Sequence, residues 1–309
     1  MQLNHIPKSG ETASEIVLFR KPSAGRRVSA QEEATMSIEH SRGQDSVCRE
    51  YPVFDVMGVP IAATSIQNAI ETLLSWLQTG DTTRLVTFTN VHMLTEARRK
   101  PHFLTLLREM DMNCPDGMPL VWIGRHKRML VSRVSGPDFM PAFCSLIADN
   151  GYRNFFYGGN EGIAERAVNA LKRDFPNLQI AGWFTPPFTA MTREEDETII
   201  RMINDSCADV VWVCLGCPKQ ELWMAEHRTR LNARLVLSVG MAFDVLAGRK
   251  SRAPKLLRDS GLEWLFRLIS EPRRLIWRYF YSNCTFIHWF ISEGIFEPRT
   301  IRDIRSAQI

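Results

Sequence analysis

A carboxylate, a lysine–glutamine pair and an arginine stand at turns of the chain where chemistry can be done. Asp116 lies in CPDGMPLVW, between a proline and a glycine. A turn that tight can hold a carboxylate at the mouth of a cleft, where it can take a proton from an attacking hydroxyl. Asp also closes Asx-turns on its own backbone, and the two readings stand side by side. Lys219 and Gln220 follow ADVVWVCLGCP, where Val210, Val211, Val213 and Leu215 mark a buried strand and Gly216 and Pro218 end it. A strand, a glycine turn and a helix starting near Lys219 expose backbone N–H groups with partial positive charge, a setting that suits phosphate. Lys219 adds a full charge, and Gln220 adds an amide able to hold an oxygen. An ordinary βα turn has the same outline.

Other residues join them. Arg133, in SRVSGPD, can clamp a diphosphate through its planar fork or form a surface salt bridge. Gly158 and Gly159 permit close approach of a phosphate or ribose, or make a plain turn. Asp244, in GMAFDVLAG, is a polar contact in a cleft or a helix-start residue. His92 is a lone histidine two positions after Asn90, a placement more often structural. No carboxylate pair or His/Cys set has metal-ligand spacing, and no DxD arrangement is present. Arg133, Lys219 and helix ends would then neutralise a leaving diphosphate, with no metal and no cofactor.

The elements that must position these residues are legible from periodicity. Residues 1–50 are polar, mixed in charge and non-periodic, and predict a disordered leader. Residues 51–63 predict a strand or hairpin turning at Gly58 and Pro60. Ile66, Ala69, Ile70, Leu73, Leu74 and Leu77 fall on one helical face behind a Ser65 cap. RLVTFT at 84–89 predicts a strand, with helices through Met93, Leu94 and Ala97 and over 104–110. Residues 111–114 read as a lead-in to the Pro115-Asp116-Gly117 turn. Further helices are expected over 120–124 and 138–150. A βα rhythm follows: strands at 154–157, 179–184, 210–215 and 234–239 alternate with helices at 163–175, 192–206 and from 219. The rhythm predicts parallel strands with crossover helices. Ligands then bind outside the strand carboxyl ends, which are Asn90, Gly158, Gly216 and Gly240.

After Gly248 the character changes. Arginines interleave with Trp264, Phe266, Trp277, Tyr279, Phe280 and Tyr281. Such helices lie in the interface of an anionic membrane, or cap the α/β body with their arginines solvated. The organisation expected is a leader over 1–50, a core over 51–248 and a helical appendage over 249–309.

Composition sets the bounds. A chain of 309 residues can build one large or two modest domains. A net charge of +4 is too mild to point to nucleic acid. The seven cysteines are odd in number and scattered, which argues against a disulfide framework or zinc site. Cys214 and Cys217 form a CxxC, but Cys214 sits inside the apolar strand, a setting that disfavours a redox pair. The N-terminus lacks the apolar region of a signal peptide, and no run of about 18 apolar residues predicts a spanning helix.

FTNVHMLTEA, CPDGMPLVW, SRVSGPDF, FFYGGNEGIAERA, CLGCPKQELW, SVGMAFDVLAG and RAPKLLRDSGLEWLFRLISEPRRLIWRY occur in that order. Together, over residues 51–280, they resemble the WecG/TagA/CpsF family of bacterial glycosyltransferases. The resemblance implies a Rossmann-like α/β enzyme with a C-terminal membrane-binding appendage, inverting and metal-independent. Such an enzyme moves a sugar from a UDP-sugar to an undecaprenyl-diphosphate-linked sugar on the cytoplasmic face of the membrane. Asp116 falls on the family's base and Asn90 on its strand-end asparagine, with Thr89 or Thr87, which bracket Phe88, as the threonine expected nearby. Arg133 and Gln220 fall on donor-side positions, with Gly158, Gly159, Lys219 and Asp244 on the same rim. Arg267 and Arg274 fall on arginines directed to the lipid diphosphate, with Arg273 and Arg278 beside them. His92 departs from the glutamate common at its position.

The donor expected first is a non-acetylated hexose, for a β-1,4-glucosyltransferase of exopolysaccharide repeat-unit assembly. The alternative is N-acetylmannosamine or its uronic acid, of teichoic-acid or enterobacterial-antigen type. Two rivals of other classes remain. A nucleotide-binding oxidoreductase lacks its GxGxxG here. A non-catalytic membrane-recruited scaffold would need only the basic aromatic tail. That tail can dock on its own body, on lipid, or on a second copy to make a homo-oligomer.

Overall fold

The computed structural model describes residues 50–187 and 191–294. The leader expected over 1–50 lies outside the described residues except for Glu50, whose carboxylate accepts a hydrogen bond from Trp76 Nε1 at 3.0 Å. Strands β1 (Val53–Val56) and β2 (Val59–Ala62) form an antiparallel hairpin. Met57 and Gly58 make its turn with φ of 56° and 83°, the left-handed pair that two-residue hairpins require. Pro60 is therefore not a turn residue. It lies inside β2, whose outer edge needs no N–H from it.

From there the chain alternates. Helix α1 (Ile66–Thr79) is capped by Ser65, which accepts from the Asn68 N–H, and buries Ala69, Ile70, Leu73 and Leu77. Next come β3 (Arg84–Thr89), α2 (Val91–Arg99), α3 (Pro101–Glu109), β4 (Met112–Pro115), α4 (Met118–His126) and α5 (Gly136–Ile147). They are followed by β5 (Arg153–Gly158), α6 (Ile163–Asp174), β6 (Gln179–Phe184), α7 (Arg193–Asp205) and β7 (Val210–Cys214). Then come α8 (Lys219–His227), β8 (Leu235–Ser238), α9 (Ala242–Leu246), α10 (Lys255–Asp259), α11 (Glu263–Ser270) and α12 (Pro272–Trp289), with a last described turn over Phe290–Gly294.

Six strands form one parallel sheet in the order β4-β3-β8-β7-β5-β6. The chain steps outward from β3 to β4, crosses over, steps outward again from β5 to β6, and returns to fill the middle with β7 and β8. The strands whose carboxyl ends were expected to converge are thus the four central neighbours, β3, β8, β7 and β5. Strand β4 was not foreseen. Its sequence, MNCP, lacks the β-branched run that marks a strand, and it is held by pairing along β3 and by burial of all four residues.

Helices cover both faces of the sheet, and β7 shows why its sequence is continuously apolar. Val211 and Val213 join one buried cluster, while Val210, Trp212 and Cys214 join another on the opposite face. The far end of α12 belongs to the first cluster. Phe286 and Trp289 are buried there with Met93, Leu94 and Ala97 of α2. The Ser282 hydroxyl is buried between Thr95 Oγ1 at 3.2 Å and His92 Nδ1 at 3.3 Å. The other side of the tail stays open, with Trp277 78%, Ile269 73% and Phe280 65% exposed. One face of the tail thus docks on the body, and the other presents aromatic and aliphatic side chains; its arginines are not simply solvated, since Arg252 and Arg258 pair with Asp138. No helix among the described residues is long and apolar enough to cross a membrane.

Candidate active site

The carboxyl rim of the sheet and helices α10 to α12 enclose a cleft of about 780 Å³, within the usual range for small-molecule sites. Asp116 stands on its wall just past β4. The register sets Thr89 opposite Pro115, and the Asp116 N–H donates to the Thr89 carbonyl at 2.8 Å. This pairing puts Asp116 beside Asn90. Gly117 follows with φ 136°, a conformation open to glycine, and α4 begins there. Burial pushes the Asp116 carboxyl up to about 7, and the Glu263 carboxylate adds to this against the Arg133 and Arg267 charges. A carboxyl that titrates near neutrality suits a general base.

Asn90 lines the cleft and caps α2, its Oδ1 accepting from the Met93 N–H at 3.2 Å. With that oxygen engaged, Asn90 can offer a ligand its NH2 group. Thr89 does not line the cleft. It is wholly buried, and its hydroxyl is spent on Thr87 at 2.8 Å and Asn113 at 3.3 Å. The threonine pair thus braces β3 against the buried Asn113 of β4.

Arg133 reaches the cleft from the segment before α5. Its Nη2 meets Asp138 at 2.8 Å, and its Nη1 meets Glu263 of α11 at 3.0 Å. It is at once an ion-pair member and a cleft residue. Asp138 is the hub of this cluster. It also accepts from Ser135 Oγ at 2.7 Å, Arg252 Nη2 at 2.8 Å and Arg258 Nη1 at 2.9 Å. Burial acts to raise the Asp138 carboxyl, but hydrogen bonds from Arg252 and Ser135 with the Arg252 and Arg133 charges hold it far below the usual range.

Gly159 lines the cleft, whereas Gly158 is buried. A side chain at Gly158 would overlap the Cys214 carbonyl oxygen, so that glycine serves the approach of β5 to β7. Lys219 is exposed on the lip. Gln220 lines the cleft but is only 4% exposed. Its Oε1 accepts from the Gly216 N–H at 3.1 Å, and its Nε2 donates to Glu221 at 2.6 Å. The expected role of that amide, holding a ligand oxygen through its NH2, is therefore not what the structure displays. Asp244 lines the cleft and also opens α9, and it pairs with Arg249 at 3.2 Å and Lys250 at 3.8 Å.

Of the arginines expected at a lipid diphosphate, Arg267 and Arg278 line the cleft. Arg267 Nε is buried without a partner among the described residues. Arg273 is exposed and is not among the cleft-lining residues; five positions from Arg278, it sits about 140° around α12 from it. The Arg274 side chain lies outside the described residues.

Several cleft residues escaped the sequence reading. Lys250, Arg258, Glu263, Trp264, Tyr279 and Ser238 all line it. Glu263 and Trp264 lie inside the GLEWLF segment, but nothing local to that segment says which face meets the sheet. His92 lines the cleft beside Ser282, and burial and then the Arg278 charge push it down to about 4, so it is neutral at neutral pH. The CxxC carries no thiolate. Cys214 donates to the Gly240 carbonyl at 2.6 Å and is pushed up to about 12 by burial, and burial raises Cys217 further.

The cleft thus combines a near-neutral carboxyl at Asp116 with cationic side chains from both sheet rim and tail. Arg133, Lys219, Lys250, Arg258, Arg267 and Arg278 outnumber the carboxylates Asp116, Asp244 and Glu263. That balance favours a polyanionic ligand such as a diphosphate.

Several known proteins are similar to this chain. A Bacillus spizizenii protein named N-acetylglucosaminyldiphosphoundecaprenol N-acetyl-beta-D-mannosaminyltransferase is 31% identical over 59% of this chain and 69% of its own length. Proteins of the same name from Staphylococcus aureus strains MRSA252 and MW2 are 26% identical over 72% of this chain and 86% of theirs. The description "Glycosyl transferase WecG/TagA/CpsF family" matches residues 54–300. With that match spanning most of its length, the chain belongs to the WecG/TagA/CpsF family of glycosyltransferases.

Proposed function

We propose that the protein transfers N-acetylmannosamine from its UDP derivative to a sugar carried on undecaprenyl diphosphate, with inversion at the anomeric carbon. The observation that carries this reading is a proton-accepting carboxyl, Asp116, set in a cation-lined cleft that the sheet rim and the tail build together. The names of the relatives support the donor and acceptor classes. They favour the acetamido sugar over the non-acetylated hexose of exopolysaccharide assembly, which is the weaker reading.

In this mechanism the acceptor hydroxyl oxygen attacks the anomeric carbon. The bond from that carbon to the β-phosphate oxygen breaks, and UDP departs with the electron pair. Asp116 takes the hydroxyl proton, and Asn90 orients one of the reacting partners through its NH2 group. Arg133, Lys219 and Gln220 stand on the donor side, with Gly159 and Asp244. Arg267 and Arg278 face the lipid diphosphate. Cationic side chains supply the countercharge that a metal supplies elsewhere, and no metal is needed.

The substrate is membrane-bound, and the tail exposes Trp277 and Phe280 beside the cleft-lining Arg278. These features support peripheral attachment to the cytoplasmic face of the membrane through residues 249–294. Release of UDP should be measured from UDP-N-acetylmannosamine, its uronic acid and UDP-glucose, with short-chain polyprenyl-diphosphate N-acetylglucosamine and glucose acceptors. Acceptor-dependent release from UDP-N-acetylmannosamine is expected. Release from UDP-glucose alone would overturn the donor, and no release from any pair would overturn the reaction.

A further inference from the structure

Beneath the cleft lies a carboxyl group that the proposed chemistry does not use. Glu221, the third residue past Pro218, is completely buried. Its Oε1 accepts from Gln220 Nε2 at 2.6 Å. The Ser238 hydroxyl and Cys217 thiol face the same carboxyl, at a geometry too poor for a hydrogen bond to its Oε2. A buried carboxyl at the edge of a binding site is costly, and it persists where it holds something in place.

What it holds is the Gln220 amide. An amide has a donor end and an acceptor end, and its neighbours decide which way it points. The Gly216 N–H can only donate, so it requires the amide oxygen, and it lies 3.1 Å from Oε1. Burial raises the Glu221 carboxyl to about 7, and above that pH, as a carboxylate, it can only accept and requires the NH2. The amide fits one way between them. Turned over, it would set NH2 against N–H and oxygen against carboxylate. Gly216 is the exposed turn residue at the end of β7, with φ 78° and open space where a side chain would stand. Without Glu221, only that exposed N–H would orient the amide.

We propose that Glu221 is a positioning residue for the donor site: it consumes the Gln220 NH2 and leaves Oε1 facing the cleft as an acceptor for an N–H or O–H of the nucleotide sugar. This rests on the reading of Gln220 as a donor-side residue. It reverses the polarity that a glutamine beside a diphosphate site suggests, because Gln220 then reads a hydrogen on the donor and leaves the phosphates to the cations.

The test is calorimetric titration of the full-length protein with UDP-N-acetylmannosamine and with UDP at pH 8, where Glu221 is ionised. Gln220→Ala and Glu221→Leu are each expected to weaken UDP-N-acetylmannosamine about tenfold, the scale of one hydrogen bond. The double variant should be no weaker than either single one, because both changes remove the same contact. Glu221→Gln keeps an acceptor for the Gln220 NH2 and should bind as wild type does. If Glu221→Leu fails to fold, Glu221→Met, closer in length and equally without a carboxylate for the Gln220 NH2, takes its place with the same expected loss. Wild-type binding by Gln220→Ala would remove Gln220 from the donor site and overturn both readings. Weakened Gln220→Ala with additive losses in the double variant, or weakened Glu221→Gln with an unchanged melting temperature, would overturn the positioning role alone.

Discussion

Replacing Asp116 with asparagine should make the protein more stable at alkaline pH while removing its activity. The Asp116 carboxyl is raised from 3.8 to about 7, first by burial and then by the Glu263 carboxylate. Below about pH 4 it is protonated in both folded and unfolded chains and contributes nothing to the pH dependence. Between the unfolded and folded values the folded state holds a proton that the unfolded state has released, so this group makes stability fall as pH rises. Above about pH 7 it is ionised in both states, and the loss is complete. Each tenfold change in the ionisation constant is about 1.4 kcal/mol, which puts the upper bound of the loss at about 4 kcal/mol. Partial solvent access at the cleft wall reduces it. An amide at this position cannot ionise, so the Asp116→Asn variant should match wild type near pH 4 and exceed it by roughly 2–4 kcal/mol at pH 8. Urea denaturation at the two pH values measures the gap. If the gap does not widen from pH 4 to pH 8, the raised carboxyl is wrong. Acceptor-dependent UDP release by the same variant should fall by about two to four orders of magnitude, the share of a general base. Near-normal turnover with intact folding would remove Asp116 from the base role.

Other perturbations probe the rest of the cleft. Turnover should decline as pH falls through about 7, where Asp116 takes up its proton. Glu263→Gln removes a neighbouring negative charge and should move this decline to lower pH in kcat/KM profiles; an unmoved or raised profile would contradict the assignment. Asp138→Asn leaves Arg133, Arg252 and Arg258 without their shared carboxylate. It should destabilise the fold by about 3 kcal/mol in urea denaturation, since it breaks a partly buried ionic cluster. A loss under about 1 kcal/mol, the scale of an exposed pair, would show the cluster to be solvated. Trp277→Ser with Phe280→Ser should reduce co-sedimentation with anionic phospholipid vesicles at least about tenfold. Both rings are largely exposed, so the melting temperature should stay put; unchanged vesicle binding would refute the membrane-facing role of this surface.

The strands and helices of the core were legible because each is local. The apolar run of β7, the Ser65 cap and the one-sided face of α1 need no distant partner to be recognised. The alternation of strand and helix then dictated a parallel sheet, with the strand ends that carry Asn90, Gly159 and Gln220 on one rim. Asp116 was legible only as one of two readings, a carboxylate at a cleft or an Asx-turn residue, and the pairing of β4 with β3 sets it on the cleft wall. Strand β4 was not legible, because MNCP becomes a strand only when β3 pairs with it.

Other decisions belonged to the tertiary structure. Thr89 and Asn90 are adjacent, but the alternation of a strand turns one hydroxyl into the sheet's interior and leaves its neighbour at the cleft. Glu263 meets Arg133 across 130 positions of chain, a pairing no local pattern encodes. The Gln220 amide takes its direction from a glycine N–H on one side and a buried carboxyl on the other. Sequence by itself determined which chemical groups this protein carries and which end of the sheet they reach. The direction each group faces, and therefore its charge state and hydrogen-bond polarity, was decided only by folding, because burial and partners are properties of the packed chain.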